Sequence, residues 1–228
     1  MEAQDPEGPQ PESEPEAREA AGSEASDADE TAEDPENTEE ETFDPGPSAI
    51  ALARALDARL TVWQAGERRV YVRHCRNARV DCRARVVALS RLISESAHRH
   101  QVDPFLVAAM ALRESGLNPF AEGSVGERGI VQLHPRGVGS RVRFVRSEGY
   151  RRRCERRPDA CQAEVIEAGA SHVASAMERC GSVPEALGAY NTGVCQETGY
   201  SRRVLEEREN LLRLAKARVS ARAAQLVD

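Results

Sequence analysis

The first 47 residues cannot contribute to a folded core. They hold 18 Asp/Glu against one Arg, a balance of −17, and their one aromatic residue is Phe43. With almost no large aliphatic side chains, this segment has too little apolar surface to offset the entropy of ordering, and its like charges keep it extended. It reads as a disordered acidic tether, a solvating linker rather than a ligand-binding element. Residues 48–228 carry the opposite balance, +10, and the two parts sum to the net −7 of the whole chain. Whatever folds must fold from residue 48 onward.

That second part contains every cysteine. Cys75 and Cys82, Cys154 and Cys161, and Cys180 and Cys195 form sequence-local pairs with six, six and fourteen residues between. Six cysteines allow 15 pairings in principle. Pairing of neighbours is the least demanding of these, and each closed loop would add about 2–3 kcal/mol. Zinc is the rival reading. No Cys-x2-Cys occurs, and among the histidines only His74, adjacent to Cys75, stands beside a cysteine pair. Disulfides imply an oxidising, extracytoplasmic compartment. No apolar stretch follows Met1 and no run of 18 apolar residues occurs, so neither a signal peptide nor a membrane span is expected within these residues. The expectation is a periplasmic or lipid-anchored protein whose signal or anchor segment was removed ahead of the tether.

From Ser48 the pattern is helical. Ser48 can cap "AIALARALDARLTVW", in which Ile50, Leu52, Ala53, Leu56, Leu60 and Trp63 make a stripe. "RARVVALSRLISESAHRH" repeats the pattern with Val86, Val87, Leu89, Leu92 and Ile93. In "VDPFLVAAMALRESG", Asp103 is a good N-cap, Pro104 suits the first helical position, and Gly116 suits the left-handed residue after the helix. Residues 117–160 read as loop. "CQAEVIEAGASHVASAMERC" and "SVPEALGAY" read as helices joined at Gly181–Ser182, with Ser182 as a cap. "YSRRVLEERENLLRLAKARVSARAAQLV" is a long closing helix. Short strand candidates are "RRVYVRH" and "RGIVQLH", and no internal repeat is apparent. The class is mainly α.

Within the third of these helices an apolar run ends on Glu114. The helix C-terminus disfavours an anion there, and the neighbours Met110, Ala111 and Leu117 are apolar. Both effects raise a carboxyl pKa, which is how a protonated acid is kept ready near neutral pH. Taken alone, a Glu before a helix-ending Gly is usually a solvated last-turn residue. Two other stretches add weight. In "GERGIVQLHP", Gly126 and Gly129 permit close backbone approach and Gln132 stands in an apolar run. In "ALGAYNTG", Tyr190 and Asn191 follow a short helix. An acid, an amide and a Tyr-Asn pair are suitable groups for binding an N-acetylated sugar.

"ALRESGLNPFAEGSVGERGIVQLHPRG" followed by "ALGAYNTG" resembles the soluble lytic transglycosylases with a lysozyme-like catalytic domain, over roughly residues 101–200. Glu114-Ser115, Gly129-Ile130-Val131-Gln132 and Ala189-Tyr190-Asn191 stand in the family's order of motifs. The resemblance implies a lysozyme-like catalytic domain over 101–228 and an N-terminal helical extension over 48–100 packed on it. It implies cleavage of peptidoglycan glycan strands between N-acetylmuramic acid and N-acetylglucosamine, with Glu114 as acid and base and a 1,6-anhydro sugar as product. No cofactor or metal is needed. Ser115 and Gln132 would shape the sugar subsites, and Tyr190 with Asn191 would orient the acid and the N-acetyl group. Ile130 and Val131 depart from the family's Leu-Met and are expected to alter shape near a subsite.

Eight arginines between residues 141 and 157 form either a basic wall for anionic glycan or peptide carboxylates, or a solvated surface. The nearest rival function is a lysozyme-type hydrolase, with Glu122 or Glu127 as the second carboxylate. A glycan-binding scaffold, positioned through the tether, is another. Nucleic-acid binding through the arginines is the least favoured, since Phe144 and Tyr150 are that stretch's only aromatics.

Overall fold

The computed structural model describes residues 46–64, 68–72 and 81–224. Residues 1–45 of the expected tether, and Cys75, lie outside the described residues.

Helix α1 (Gly46–Leu60) begins two residues before Ser48, so Ser48 is not its cap. Pro47 is tolerated there because the first-turn N–H it lacks would have no helical partner. The buried face of α1 is Leu52, Ala55, Leu56 and Leu60, while Ile50 is 53% exposed. The helix also stops before the expected Trp63. Thr61 Oγ1 donates to the Asp57 carbonyl at 2.9 Å, and strand β1 (Thr61–Gln64) begins. It pairs antiparallel with β2 (Arg68–Tyr71), Val62 opposite Val70. The β-branched and aromatic residues of "TVW" favour a strand over a further helical turn.

Helix α2 (Cys82–Arg99) is capped by Asp81, whose side chain accepts from Ala84 N. Its inward face runs through Val86, Leu89, Ile93 and Ala97, and Val87 points outward. Helix α3 (Pro104–Ser115) has the expected Asp103 cap, Pro104 in its first turn and Gly116 left-handed at φ +62°. Leu106 through Ala111 are all buried, so α3 lies at the centre.

The stretch 117–160 is more ordered than a loop. It holds a 3-10 turn (Val138–Arg141) and two short helices, α4 (Arg143–Arg146) and α5 (Glu148–Cys154). "RGIVQLH" is not a strand. Gly129 at φ +81° and Gln132 at φ +48° fold it into turns, leaving only isolated bridges from Arg128 to Glu122 and Leu133. Helix α6 (Pro158–Cys180) starts three residues earlier than Cys161, again with Pro in the first turn. Helix α7 (Val183–Thr192) has the expected Ser182 cap, and α8 (Gly199–Ala224) closes the chain.

Helix α3 packs on α8, α6 on α7, and α1 on both α2 and α8. Leu56, Leu89, Ile93, Met110, Ile166, Leu187 and Leu211 fill the space between them. Each such side chain contributes about 1.5–3 kcal/mol of transfer free energy. Polar clasps add to this. Arg59 makes a two-point contact with the buried Glu207, at 2.6 and 3.0 Å, joining α1 to α8. Arg208 on α8 pairs with the Asp103 cap.

Glu167 on α6 receives Ser96 Oγ at 2.7 Å, Arg99 at 2.5 Å and His100 Nε2 at 2.6 Å, holding the end of α2. Burial pushes its pKa up, but these partners outweigh burial and hold it at about 2, below the ordinary 4.5. The folded pKa is depressed, so the stabilisation is fully present above about 4.5 and is lost as pH falls from there toward about 2. Melting of Glu167→Gln should therefore lie a few degrees below the parent at pH 7, with the gap closing through that acid window. A gap that stayed constant with pH would assign the loss to packing.

Disulfides join Cys154 to Cys161 and Cys180 to Cys195, two of the neighbour pairs expected from spacing. No helix of the described residues is long and apolar enough to cross a membrane.

Candidate active site

Glu114 occupies the last turn of α3, where the apolar run that centres the fold reaches an open cleft of about 550 Å³. Gln132, Tyr190 and Asn191 line the same cleft, together with Glu127, His134 and His172. Four of the five residues singled out from the sequence thus meet in one place. The exception is Ser115, which does not line it.

The Ser115 hydroxyl lies 2.8 Å from the Ile130 carbonyl and 3.1 Å from that of Ala111. It works inward, tying the end of α3 to the turn at 129–132. Two more side chains hold the same turn. Tyr190 on α7 donates its hydroxyl to the Val131 carbonyl at 2.8 Å. Gln162 on α6, fully buried, accepts from Ile130 N at 3.0 Å and donates to the Pro119 carbonyl at 3.2 Å. Three helices therefore grip a four-residue turn through backbone groups. Such contacts fix the turn's position without depending on its side chains.

The grip accounts for the glycines. A Cβ on Gly129 would meet Val165 at 2.8 Å, and one on Gly169 would meet Val131 at 2.7 Å. The Ile130 and Val131 side chains are fully buried and absent from the cleft lining. Their departure from the family pattern therefore changes core packing rather than a subsite, contrary to the expectation above.

Gln132 is the turn's outward member. Its amide nitrogen donates to the carbonyls of Gly129 at 2.8 Å and Ala121 at 3.1 Å. Left-handed backbone costs a non-glycine residue roughly 1–2 kcal/mol, and here it turns an amide toward the cleft.

The Glu114 carboxyl is half-buried, and desolvation raises its pKa. Tyr200, in the first turn of α8, opposes the shift, Glu127 adds to it by like-charge repulsion, and Arg113 opposes it. The Tyr200 hydroxyl is buried and makes no hydrogen bond of full geometry, yet it lies close enough to the carboxyl to favour the carboxylate. Burial is the largest of these contributions. Tyr190 stands nearby with its pKa raised by burial and by Glu114, and its ring packs on His172 at 5.2 Å between centroids. Both tyrosines are therefore hydrogen-bonding groups, not anions, in the working pH range.

Of the two carboxylates considered for a hydrolytic role, Glu122 is exposed, pairs with Arg128 and does not line the cleft. Glu127 does line it, with Oε2 accepting from Val125 N at 3.2 Å. Sequence reading missed Tyr200, Gln162 and His172. A tyrosine at the start of an amphipathic helix and a glutamine inside one were the only signals, and neither indicates a site by itself.

No solved structure matches the chain. A family model does. The matched residues, 91–211, run from within α2 into α8 and include the whole cleft lining and the three helices that grip the 129–132 turn. The match spans more than half of the chain, so this protein belongs to the family described as Transglycosylase SLT domain.

Proposed function

We propose that the protein is a peptidoglycan lytic transglycosylase with Glu114 as its single acid and base. Glu114 protonates the glycosidic oxygen between N-acetylmuramic acid and N-acetylglucosamine. The resulting carboxylate then takes the proton of the muramic C6 hydroxyl as that oxygen attacks the anomeric carbon. The C–O bond to the leaving sugar breaks, a 1,6-anhydro ring forms, and no water is consumed.

The observation that carries this reading is a half-buried carboxyl with a raised pKa, open to a cleft whose polar lining includes an amide, a tyrosine and an asparagine. A group that must donate and then accept a proton works best with its pKa near the working pH. Gln132 and Asn191 offer amide partners for N-acetyl groups. Tyr190 holds the cleft wall through Val131, and Ser115 acts through Ile130 rather than on sugar. Residues 48–100 fit the reading as an extension packed on a catalytic domain over 101–228. The acidic residues 1–47 fit a tether within the bacterial envelope, outside the cytosol, where peptidoglycan lies.

Glu127 in the same cleft supports a second reading, a hydrolase that uses it to activate water. Digestion of purified peptidoglycan with mass analysis separates the two. Anhydromuropeptides are the expected product. Reducing-end muropeptides would establish hydrolysis, and release of neither would overturn both.

The neighbours of Glu114 give a signed pH test. Activity requires the protonated acid, so it falls as pH rises through the Glu114 pKa. Tyr200 lowers that pKa, so Tyr200→Phe should move the alkaline limb to higher pH. Glu127 raises it, so Glu127→Gln should move the limb to lower pH. Limbs that stayed in place in both variants would remove Glu114 from the titration.

A further inference from the structure

The cleft continues past the acid. A second hollow of about 530 Å³ shares Gly137, Val138 and His172 with it, so the two form one groove. Its ends differ in charge. Glu114 and Glu127 line the first, whereas Arg136 and Arg141 line the second, which has no acidic residue in its lining. The wall opposite the arginines is a face of α6 formed by Ala168, Ser171, His172 and Ser175, at helical spacing.

The structure sorts the arginine-rich stretch. Arg143 and Arg153 lie over the Tyr150 ring, 4.0 and 5.7 Å from its centroid. Arg151 donates to the carbonyls of Phe144 and Val145 at 3.0 and 2.8 Å, and Arg152 pairs with Glu148 at 2.7 Å. Arg143 and Arg151 tie α4 to α5, Arg152 and Arg153 make their contacts within α5, and none of the four lines the groove. Arg136 and Arg141 are exposed, and among the described residues neither has an acidic partner.

The turn that carries them is firmly held. Gly137 N and Gly139 N both donate to the His134 carbonyl, at 3.0 and 3.2 Å, and a Cβ on Gly139 would press on that carbonyl at 2.7 Å. Two cations thus stand at the rim of a polar, hydroxyl-bearing channel that leads to the acid.

We propose that this extension binds the carboxylates that project from the glycan strand, with Arg136 and Arg141 as the cations and Ser171 and Ser175 as hydrogen-bond partners. The inference rests on the glycan reading of the cleft. In such a strand carboxylates arise only at muramic acid, from a free lactyl group or from the attached peptide. An exposed Arg–carboxylate pair changes affinity by a few-fold, so the two together should give about tenfold, decreasing with salt.

The test measures binding by the Glu114→Gln protein, so that no strand is consumed. Three labelled oligosaccharides of equal length serve as probes: a neutral chitooligosaccharide, a peptide-free GlcNAc–MurNAc oligomer, and the same oligomer bearing peptides. At low salt a carboxylate-bearing probe should bind about tenfold more tightly than the neutral one. Arg136→Gln with Arg141→Gln should remove that advantage and leave chitooligosaccharide affinity unchanged, while the double Lys variant should keep most of it. Which charged probe gains more assigns the carboxylate to the lactyl group or the peptide. An advantage that survives the double Gln substitution, or no advantage at all, overturns the anion site and leaves the glycan reading standing. Arginine-dependent binding of the peptide-bearing probe alone, with neither peptide-free oligosaccharide bound, leaves the anion site and overturns the glycan reading. Binding of no probe overturns both.

Discussion

Glu114→Gln is expected to lower release of anhydromuropeptides from peptidoglycan by about a thousandfold, within the usual range for a general acid. The substitution keeps the shape and hydrogen-bonding capacity of the side chain and removes only the transferable proton. Stability should not fall, because a half-buried carboxyl whose desolvation raises its pKa is replaced by a neutral amide. Melting temperature therefore serves as the control. A parent-like melt with product lost assigns the acid. A variant that retained more than about a tenth of parent activity would take Glu114 out of the proton path, since a positioned general acid contributes at least about a hundredfold. In that case Glu127, the other carboxylate in the cleft, becomes the acid to test.

Removal of the Cys180–Cys195 bond, by Cys180→Ser with Cys195→Ser, should cost about 3 kcal/mol for a loop of this separation, 15 residues. For a folded unit of this size that amounts to a fall in melting temperature of roughly 6–12 °C. The bond closes a loop that contains α7 and returns the chain across it. Gly188 shows how close the return is, because a Cβ there would collide with the Gln196 carbonyl. Helix α7 carries Tyr190, whose hydroxyl holds the Val131 carbonyl. Loosening α7 should thus weaken glycan binding as well as stability. Activity of the double Ser variant, measured well below its melting temperature, should show a raised KM. A melting temperature within about 2 °C of the parent would mean that helix packing alone holds the return loop.

Much of the fold was legible because its signals act over a few residues. Asp103, Pro104 and Gly116 set both ends of α3, and Ser182 and Gly193 set those of α7, by satisfying or ending backbone hydrogen bonds locally. Where the reading failed, a competing local preference was at work. Pro47 extended α1 backward, the β-branched Thr61 and Val62 ended it in a strand, and two left-handed residues turned "RGIVQLH" back on itself. Ile50 and Val87 were misassigned because a three-to-four residue period leaves the width of the buried stripe undetermined.

The site divides along the same line. By itself the sequence determined that an acid ends an apolar helix, that a glycine-flanked turn with an amide follows, and that a Tyr-Asn pair closes a later helix. The tertiary structure alone decided what those groups face. Ser115 and Tyr190 look equally suited to bind sugar, yet both spend their hydroxyls on the 129–132 turn. Tyr200 lies 86 positions beyond Glu114 and reaches it only because α8 packs on α3. Two arginines among many line the groove only because a tight turn sets them opposite α6. Capping, turn chemistry and periodicity are properties of neighbouring residues, so they can be read along the chain. The direction of a hydroxyl, the desolvation of a carboxyl and the continuity of a groove depend on how distant helices cross, and no local pattern encodes them.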